Sequence, residues 1–366
     1  MNKNLEKLIV HALPLEKLSY QNRIGFLRQN LLVAQNLPEE MVSIDPRTQD
    51  TIVYSLKRKN RPHDYVNILQ EDTEKPCPVC LGETTEIWDT AALSTGYTFI
   101  NANLFPIVYP FGAAQWPEAK ASGDNALGTH LLQWHSTEHD KDLHNMPVKD
   151  IVVCLERLAA VEKYLLTQDS PACGEGIRGY IWIIKNYGRQ SGSSLKHGHL
   201  QIIHSNIMPS AILRDQQLLQ QEGKGFSTIL QEKGGQNLLI KSYSHGQVLL
   251  FTPFCMKRML DASICFQNAK KNYLHSLSQS EIHGLAEALK EAISSVLMLM
   301  PYLEKEPAYN LLFHIGEIGG LYIEIIPHTQ EMGGYEHLGA YTCLLTPEES
   351  TTLYRTKISE LYCCQG

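Results

Sequence analysis

The chain has 366 residues, 43% hydrophobic and 19% charged, with a formal net charge of -7. That is globular composition with length enough for two domains, and it excludes a disordered chain. The longest basic block is Lys57-Arg58-Lys59, so a broad footprint for nucleic acid is missing and basic groups are expected to act locally, on a small anion.

No window approaches ~18 uninterrupted apolar residues and the N-terminus lacks a signal-like apolar core. A soluble cytoplasmic protein without a membrane partner is expected. The nine cysteines are odd in number and scattered apart from Cys77/Cys80 and Cys363/Cys364, which fits reduced thiols better than a disulfide framework. The Cys363/Cys364 pair reads as an incidental feature of a frayed tail.

In chain order, residues 1 to about 45 are expected to be helical. Ile24 to Leu37 carries apolar residues at three- and four-residue spacing, and Pro38-Glu39-Glu40 breaks or restarts the pattern. An extended stretch follows from Ile44 to Ser55, where a turn-like DPRTQD precedes a β-branched run. Alternating aromatic and aliphatic residues predict strands between Tyr97 and Pro110, and Met146 to Gln168 is the clearest amphipathic helix of the first half. Gly179 to Gly188 reads as a short apolar strand, Ser191 to Ser205 as loop then strand, and Ser210 to Glu222 as a Gln-rich helix leading into a Gly-containing segment, Gly223 to Gly235. The second half repeats the theme: strands between Asn237 and Phe254, a helix from Ser278 to Met300, and strands at Tyr309 to Gly316 and Gly320 to Pro327. A strand, helix, strand grammar occurring twice predicts two related α+β units with a boundary near residues 210 to 235.

The strongest chemical signal is HGHLQIIH, His197 to His204. On a strand, His197, His199 and Gln201 share one face, presenting two imidazoles and an amide in a row. The Gly/Ser turn before it has Gly188 and Gly192 to permit unusual backbone conformations, and its amides with the Ser193 and Ser194 hydroxyls are placed to meet phosphate oxygens. Cys77-Pro-Val-Cys80 admits a redox pair, two thiolate ligands of a tetrahedral metal, or an incidental motif. A metal needs two more ligands, and the candidates are His197, His135, His139 and His144.

CPVC, STEHDKDL and NYGRQSGSSLKHGHLQ, in that order, resemble the ordered motifs of the galactose-1-phosphate uridylyltransferases, within the wider histidine-triad superfamily. The resemblance runs from about Asp45 to Ser350. It implies an α+β fold of two histidine-triad-like units, antiparallel sheets with packed helices: a helical extension over 1–44, a catalytic unit over 45–215 and a second unit over 216–366. It implies a Zn2+ ion of structural type on Cys77, Cys80, His139 and His197, and it puts His199 at the nucleophile position. His199 is then expected to carry a nucleoside monophosphate, UMP by preference, from a nucleotide sugar to a phosphorylated acceptor such as a hexose 1-phosphate, by ping-pong kinetics. Gln201 can bind phosphoryl oxygens but cannot act as a general base toward water, which favours transfer over hydrolysis.

By the same resemblance Arg58 and Arg61 are anion contacts. Asn103, with Asn101 as rival, lies near the nucleotide, and Asn186, Ser193 and Ser194 meet phosphate. Tyr335 and Glu336 fall on the acceptor-binding pair. The family departs from this chain at Gly198, where proline is usual, at Gln330 and Glu331, which replace basic and aromatic residues, and at Thr342, which replaces a glutamine. His314 falls at a metal-ligand slot and Asp215 where a carboxylate ligand is expected, but the partner HxH reads Gly320-Leu321-Tyr322, so a second metal is expected to be absent. A phosphorylase using inorganic phosphate and a binding protein without turnover are the rival readings. A homodimer is expected by resemblance alone.

Overall fold

The computed structural model describes residues 2–33, 41–54, 58, 76–110, 126–168, 170, 172–173, 178–317 and 320–363. The break expected at Pro38-Glu39-Glu40, the Arg61 contact and Cys364 lie outside these residues. Two compact units divide the chain: residues 1–141, 156–183 and 194–214, and residues 142–155, 184–193 and 215–366.

The first unit opens with α1 (Lys3–Val10), capped by the Asn2 side chain, which accepts from the Asn4 N–H at 2.8 Å. After a 3-10 turn at Leu15–Lys17 comes α2 (Tyr20–Val33). Helix does not extend to residue 45. β1 (Met41–Ile44) and β2 (Thr51–Tyr54) form an antiparallel hairpin instead. The β-branched Ile52 and Val53 face Ser43 and Val42 across it, and Asp45 closes the turn by accepting from the Arg47 backbone and guanidinium at 2.9 and 2.7 Å. β3 (Ile87–Ala92), β4 (Tyr97–Ala102) and β5 (Gly128–Trp134) follow, then α3 (Val148–Thr167), β6 (Tyr180–Tyr187) and β7 (His199–Ser205). Strands β3, β4, β5 and β7 pair in that order, all antiparallel. Their apolar side chains are backed by α1, whose Leu5 and Ile9 join Val79, Ile87, Phe99 and Trp134 in one buried cluster.

In the second unit α4 (Ser210–Glu222), which begins in the first, leads to α5 (Phe226–Gly234). The expected Gly-containing segment is therefore largely helical. Glycines at both ends mask its apolar face in the sequence, yet Ile229 and Leu230 are buried and Gly235 ends the helix at φ +49°. β8 (Leu239–Tyr243), β9 (Val248–Phe251), β10 (Ala262–Phe266), α6 (Gln279–Tyr302), β11 (Tyr309–His314), β12 (Tyr322–Pro327), α7 (Gly334–His337) and α8 (Pro347–Cys363) complete the chain. The strand order is β8, β9, β10, β12, β11, again antiparallel throughout. α6 starts at a capping box: Ser278 Oγ accepts from the Glu281 N–H at 3.2 Å and the Glu281 carboxylate accepts from the Ser278 N–H at 2.7 Å. Thus each unit is α+β with an antiparallel sheet and packed helices. Among the described residues no helix is long and apolar enough to cross a membrane.

Candidate active site and metal centre

The site in the first unit is assembled by cross-strand register. On β5, Trp134 lies directly opposite His199 of β7, and Leu132 opposite Gln201. Residues so paired share a face of the sheet. β7 starts at His199, so His197 is not on the regular strand. It sits in the bend just before it, where the Gly198 carbonyl still accepts from the His135 N–H at 3.0 Å and keeps the chain extended.

His197 and His199 divide their roles through their ring nitrogens. His197 Nε2 donates to the Ser136 carbonyl at 2.8 Å, leaving the Nδ1 lone pair toward Cys77 Sγ at 3.7 Å and Cys80 Sγ at 3.6 Å. His139 Nδ1 is 3.4 Å from Cys80 Sγ. The turn after β5 therefore supplies His139 itself and the carbonyl that fixes the tautomer of His197. Cys77, Cys80, His139 and His197 place one ligand atom each within 4.8 Å of one another, the only such group among the described residues. A tetrahedral ion with M–S of about 2.3 Å and M–N of about 2.05 Å separates sulfur and nitrogen by roughly 3.6 Å, so the observed 3.4–3.7 Å spacing fits a metal ion. Burial, with Cys80 beside it, pushes the Cys77 thiol up to about 12, so a pair of thiolates here calls for a cation between them. His135 and His144, the other candidates, are not in the group.

The knuckle that carries the thiols is a local turn: Leu81 and Gly82 N–H groups donate to the Cys77 and Val79 carbonyls at 3.1 and 2.9 Å. Gly82 has φ +74°, and a Cβ there would meet the Leu5 backbone nitrogen at 2.8 Å, so α1 rests directly on the turn.

His199 Nδ1 donates to the His197 carbonyl at 2.8 Å, which leaves the ring lone pair on Nε2. Its side chain is 8% exposed, and the Trp134 ring lies 4.8 Å from its centroid. Trp134 also meets His197 edge-on at 5.4 Å and donates from Nε1 to Asn101 Oδ1 at 2.9 Å. The sequence reading missed this residue. Its position next to the histidine-bearing STEH segment was the available signal, but the pairing with His199 is set by register alone. Asn101 spends its remaining amide donors on Thr84 and Thr85, whereas Asn103 lies beside His130 with its Nδ2 3.1 Å from His130 Nε2. Arg58 donates to the Phe105 carbonyl at 2.7 Å, and its charge reaches His130. Ser194 is half-buried on the same unit.

Asn186 and Ser193 belong to the second unit. Asn186 Oδ1 accepts from Asn310 Nδ2 at 2.7 Å, and Asn310 Oδ1 accepts from His328 Nε2 at 2.6 Å. The intervening turn is held by Gly188 at φ +81°, where a Cβ would meet the Pro307 carbonyl at 2.4 Å. Tyr335 and Glu336 differ in their surroundings. Tyr335 is 70% exposed, while Glu336 is buried and accepts from the Gly333 N–H and the Thr342 hydroxyl, both at 3.0 Å. Gln330 Nε2 donates to the Thr342 carbonyl at 2.6 Å, so the substituted residues brace one another.

His314 lies between two carboxylates, with Nδ1 3.1 Å from Asp215 and Nε2 2.7 Å from Glu324. Tyr322 stacks on the ring at 4.0 Å and donates to Asp215 at 3.0 Å. The resemblance had singled out Asp215 and Tyr322 beside His314; Glu324, two residues beyond Tyr322 and on the same face of β12, was missed. Burial alone lowers the His314 pKa, but the two carboxylates outweigh it and hold it at about 9. Since that lies above the 6.5 of an unperturbed histidine, the imidazolium stabilises the fold fully below pH 6.5 and less as pH rises through about 9. The urea midpoint of the wild type is therefore expected to fall toward that of His314→Gln between pH 6.5 and 9; a constant gap between the two across this range rejects the charged pair.

No family model matches the chain. An ADP-glucose phosphorylase of Arabidopsis thaliana is 21% identical over 347 residues, covering 85% of this chain and 91% of that protein. A galactose-1-phosphate uridylyltransferase of Thermotoga maritima is 25% identical over 171 residues, 46% of this chain and 47% of the relative. A solved uridylyltransferase shares the fold with a TM-score of 0.67 at 21% identity, over 88% of this chain and 99% of that one. With the ordered motifs gathered on adjacent strands, the chain is similar in sequence to enzymes of nucleotidyltransferase type, the galactose-1-phosphate uridylyltransferases and ADP-glucose phosphorylase among them, and it shares the uridylyltransferase fold along most of its length.

Proposed function

We propose that the protein transfers a nucleoside monophosphate between phosphorylated substrates through a covalent adduct on His199. The carrying observation is the His199 Nδ1 to His197 carbonyl hydrogen bond at 2.8 Å. It aims Nε2 at substrate and offers the same carbonyl to the positive charge that the ring acquires on attack. In the first half-reaction the Nε2–P bond forms as the bond from the α-phosphorus to the leaving phosphate breaks. In the second, an acceptor phosphate oxygen takes the phosphorus and the imidazole returns to neutral. The donor in this reading is a nucleoside diphosphate sugar, the transferred group UMP and the acceptor a hexose 1-phosphate. Gln201 serves the phosphoryl oxygens without activating water. Arg58, Arg61, Asn103, Asn186, Ser193 and Ser194 serve as phosphate and nucleotide contacts, and Tyr335 and Glu336 as the acceptor end.

The ion proposed on Cys77, Cys80, His139 and His197 is zinc. Two thiolates make that centre neutral, and its place is structural, anchoring the chain just ahead of His199. A homodimer in the cytoplasm belongs to the same reading.

A second reading has inorganic phosphate as the acceptor, releasing a nucleoside diphosphate. The similarity to a relative named ADP-glucose phosphorylase over 85% of the chain favours it, as does the engagement of Glu336 by Gly333 and Thr342. Intact-protein mass spectrometry separates the two. The protein is incubated with UDP-glucose or ADP-glucose and then chased with galactose 1-phosphate or phosphate. A uridylyl adduct released by the sugar phosphate supports the first reading, and an adenylyl adduct released by phosphate the second. A stable adduct that neither acceptor removes, or none at all, leaves a binding protein.

A further inference from the structure

We infer that Asn310 is a positioning residue that sets which end of the Asn186 amide is offered to phosphate, with His328 behind it as the group that holds Asn310 in place. The inference rests on the proposed chemistry at His199, in which Asn186 is a phosphate contact. The residues concerned, Asn186, Ser191, Asn310 and His328, all belong to the second unit.

A backbone carbonyl decides the orientations. Asn310 Nδ2 lies 3.1 Å from the Ser191 carbonyl oxygen and 2.7 Å from the Asn186 amide. A carbonyl oxygen only accepts, so the Asn310 atom facing Ser191 is the nitrogen. Its second hydrogen then goes to Asn186, and the Asn186 atom that receives it is Oδ1. The opposite end of the Asn310 amide is Oδ1, 2.6 Å from His328 Nε2, so that ring nitrogen carries a proton. Burial, with the Arg258 guanidinium nearby, holds the His328 pKa below its ordinary value, so at about pH 7.5 the ring is neutral and its lone pair is on Nδ1. Both polar atoms of the Asn310 side chain thus have a partner. Turning either amide, or moving the ring proton to Nδ1, sets two acceptors or two donors against each other.

The consequence falls on Asn186, which is half-buried near the end of β6, where the chain enters the Gly188 turn. With Oδ1 held by Asn310, the group left for a ligand is Nδ2 and its hydrogens, which suit a phosphate oxygen. The reverse orientation would meet phosphate with a carbonyl dipole of the wrong sign. Through its bond to Ser191, Asn310 also ties the start of the turn to its end, beside Gly192 and Ser193. The reach is short because Gly188 has no Cβ: the turn rests on Pro307 and Ala308, three and two residues ahead of Asn310.

A single-group exchange tests this. Asn310→Asp keeps the shape but replaces the donating NH2 by an acceptor, so Asn186 is expected to turn its own NH2 toward the new carboxylate and its oxygen toward phosphate. The second-order rate of nucleotidyl labelling of His199 is expected to fall by about 10- to 100-fold, the scale of a lost hydrogen bond to a charged group with a dipole set against it. In an Asn186→Ala background the same exchange is expected to cost less than about threefold, because the orientation it controls is gone. An equal loss in both backgrounds, the mark of a structural or long-range charge effect, overturns the inference, and so does a wild-type rate in the single variant. Two milder changes serve if Asn310→Asp does not fold. His328→Gln, which brings an N–H donor to the same end of Asn310, is expected to stay within about twofold of the wild type, and His328→Leu to be about 3- to 10-fold slower. Equal rates for these two reject the hydrogen-bond chain. Nitrogen-15 spectra of the unmutated protein at about pH 7.5 read the His328 tautomer directly, with the proton expected on Nε2; a proton on Nδ1 overturns the inference whatever the activity. If the wild type takes no label from any donor, the proposed function fails, and the spectrum still decides the hydrogen-bond chain.

Discussion

The His199→Ala protein is expected to take up no nucleotidyl label from a nucleoside diphosphate sugar and to turn over at least about 10,000-fold more slowly than the wild type. The size follows from what the residue does in the proposed cycle. Both half-reactions make or break a bond to Nε2, so alanine does not slow the route but removes it. What remains is direct attack of one phosphate on another in a site whose other groups still bind and orient. The packing of Trp134 against the ring at 4.8 Å makes a small cavity the main structural consequence, so the variant is expected to fold. His199→Asn fills more of that space and is expected to be equally inactive. Labelling that persists at another residue in either variant would place the nucleophile elsewhere and end the His199 proposal.

The legible parts of the fold were those written in local periodicity. The helices expected at Met146 to Gln168 and Ser278 to Met300 correspond closely to α3 and α6. The failures came where punctuation misled. The helical pattern of Ile24 to Leu37 was carried across Pro38 into Met41–Ile44, although Val42 and Ile44 are β-branched and strand is what forms there. Glycines flanking Phe226–Gly234 concealed a short helix whose apolar contacts are all tertiary.

At the site, the same distinction holds. Spacing along one segment gave HxHxQ and CxxC, because those residues act as neighbours in sequence. Trp134 meets His199, and Glu324 meets His314, across a pair of strands, and which residue faces which depends on register, which single-chain spacing does not carry. The Glu324 partner of His314 lies two residues beyond Tyr322, on the same face of the strand, outside the motif the resemblance pointed to.

The metal centre yields the largest expected change in stability. Removing its ion with a chelator, or one ligand by Cys80→Ala, is expected to lower the melting temperature by roughly 6–16 °C. A tightly held ion at ~100–1,000 times its dissociation constant contributes about 3–4 kcal/mol, and each kcal/mol moves the midpoint of a unit of ~150–250 residues by about 2–4 °C. Cys80 is the better choice than Cys77, because Cys77 is buried within the Leu5, Val79 and Trp134 cluster and its loss would also weaken packing. An ion on these residues would join three separated stretches, the knuckle at Cys77 and Cys80, the turn at His139 and the bend at His197, so its removal would also free the long loops closed there. Rate should fall with it. His197 keeps its Nε2 bond to Ser136 at 2.8 Å, but its Nδ1 side loses its anchor, and the carbonyl of this residue orients His199. The Cys80→Ala protein is therefore expected to bind donor with little change in affinity but to label His199 more slowly, with metal content near zero. Loss of the ion with both melting point and labelling rate unchanged would mean that the four residues hold nothing the fold or the reaction depends on.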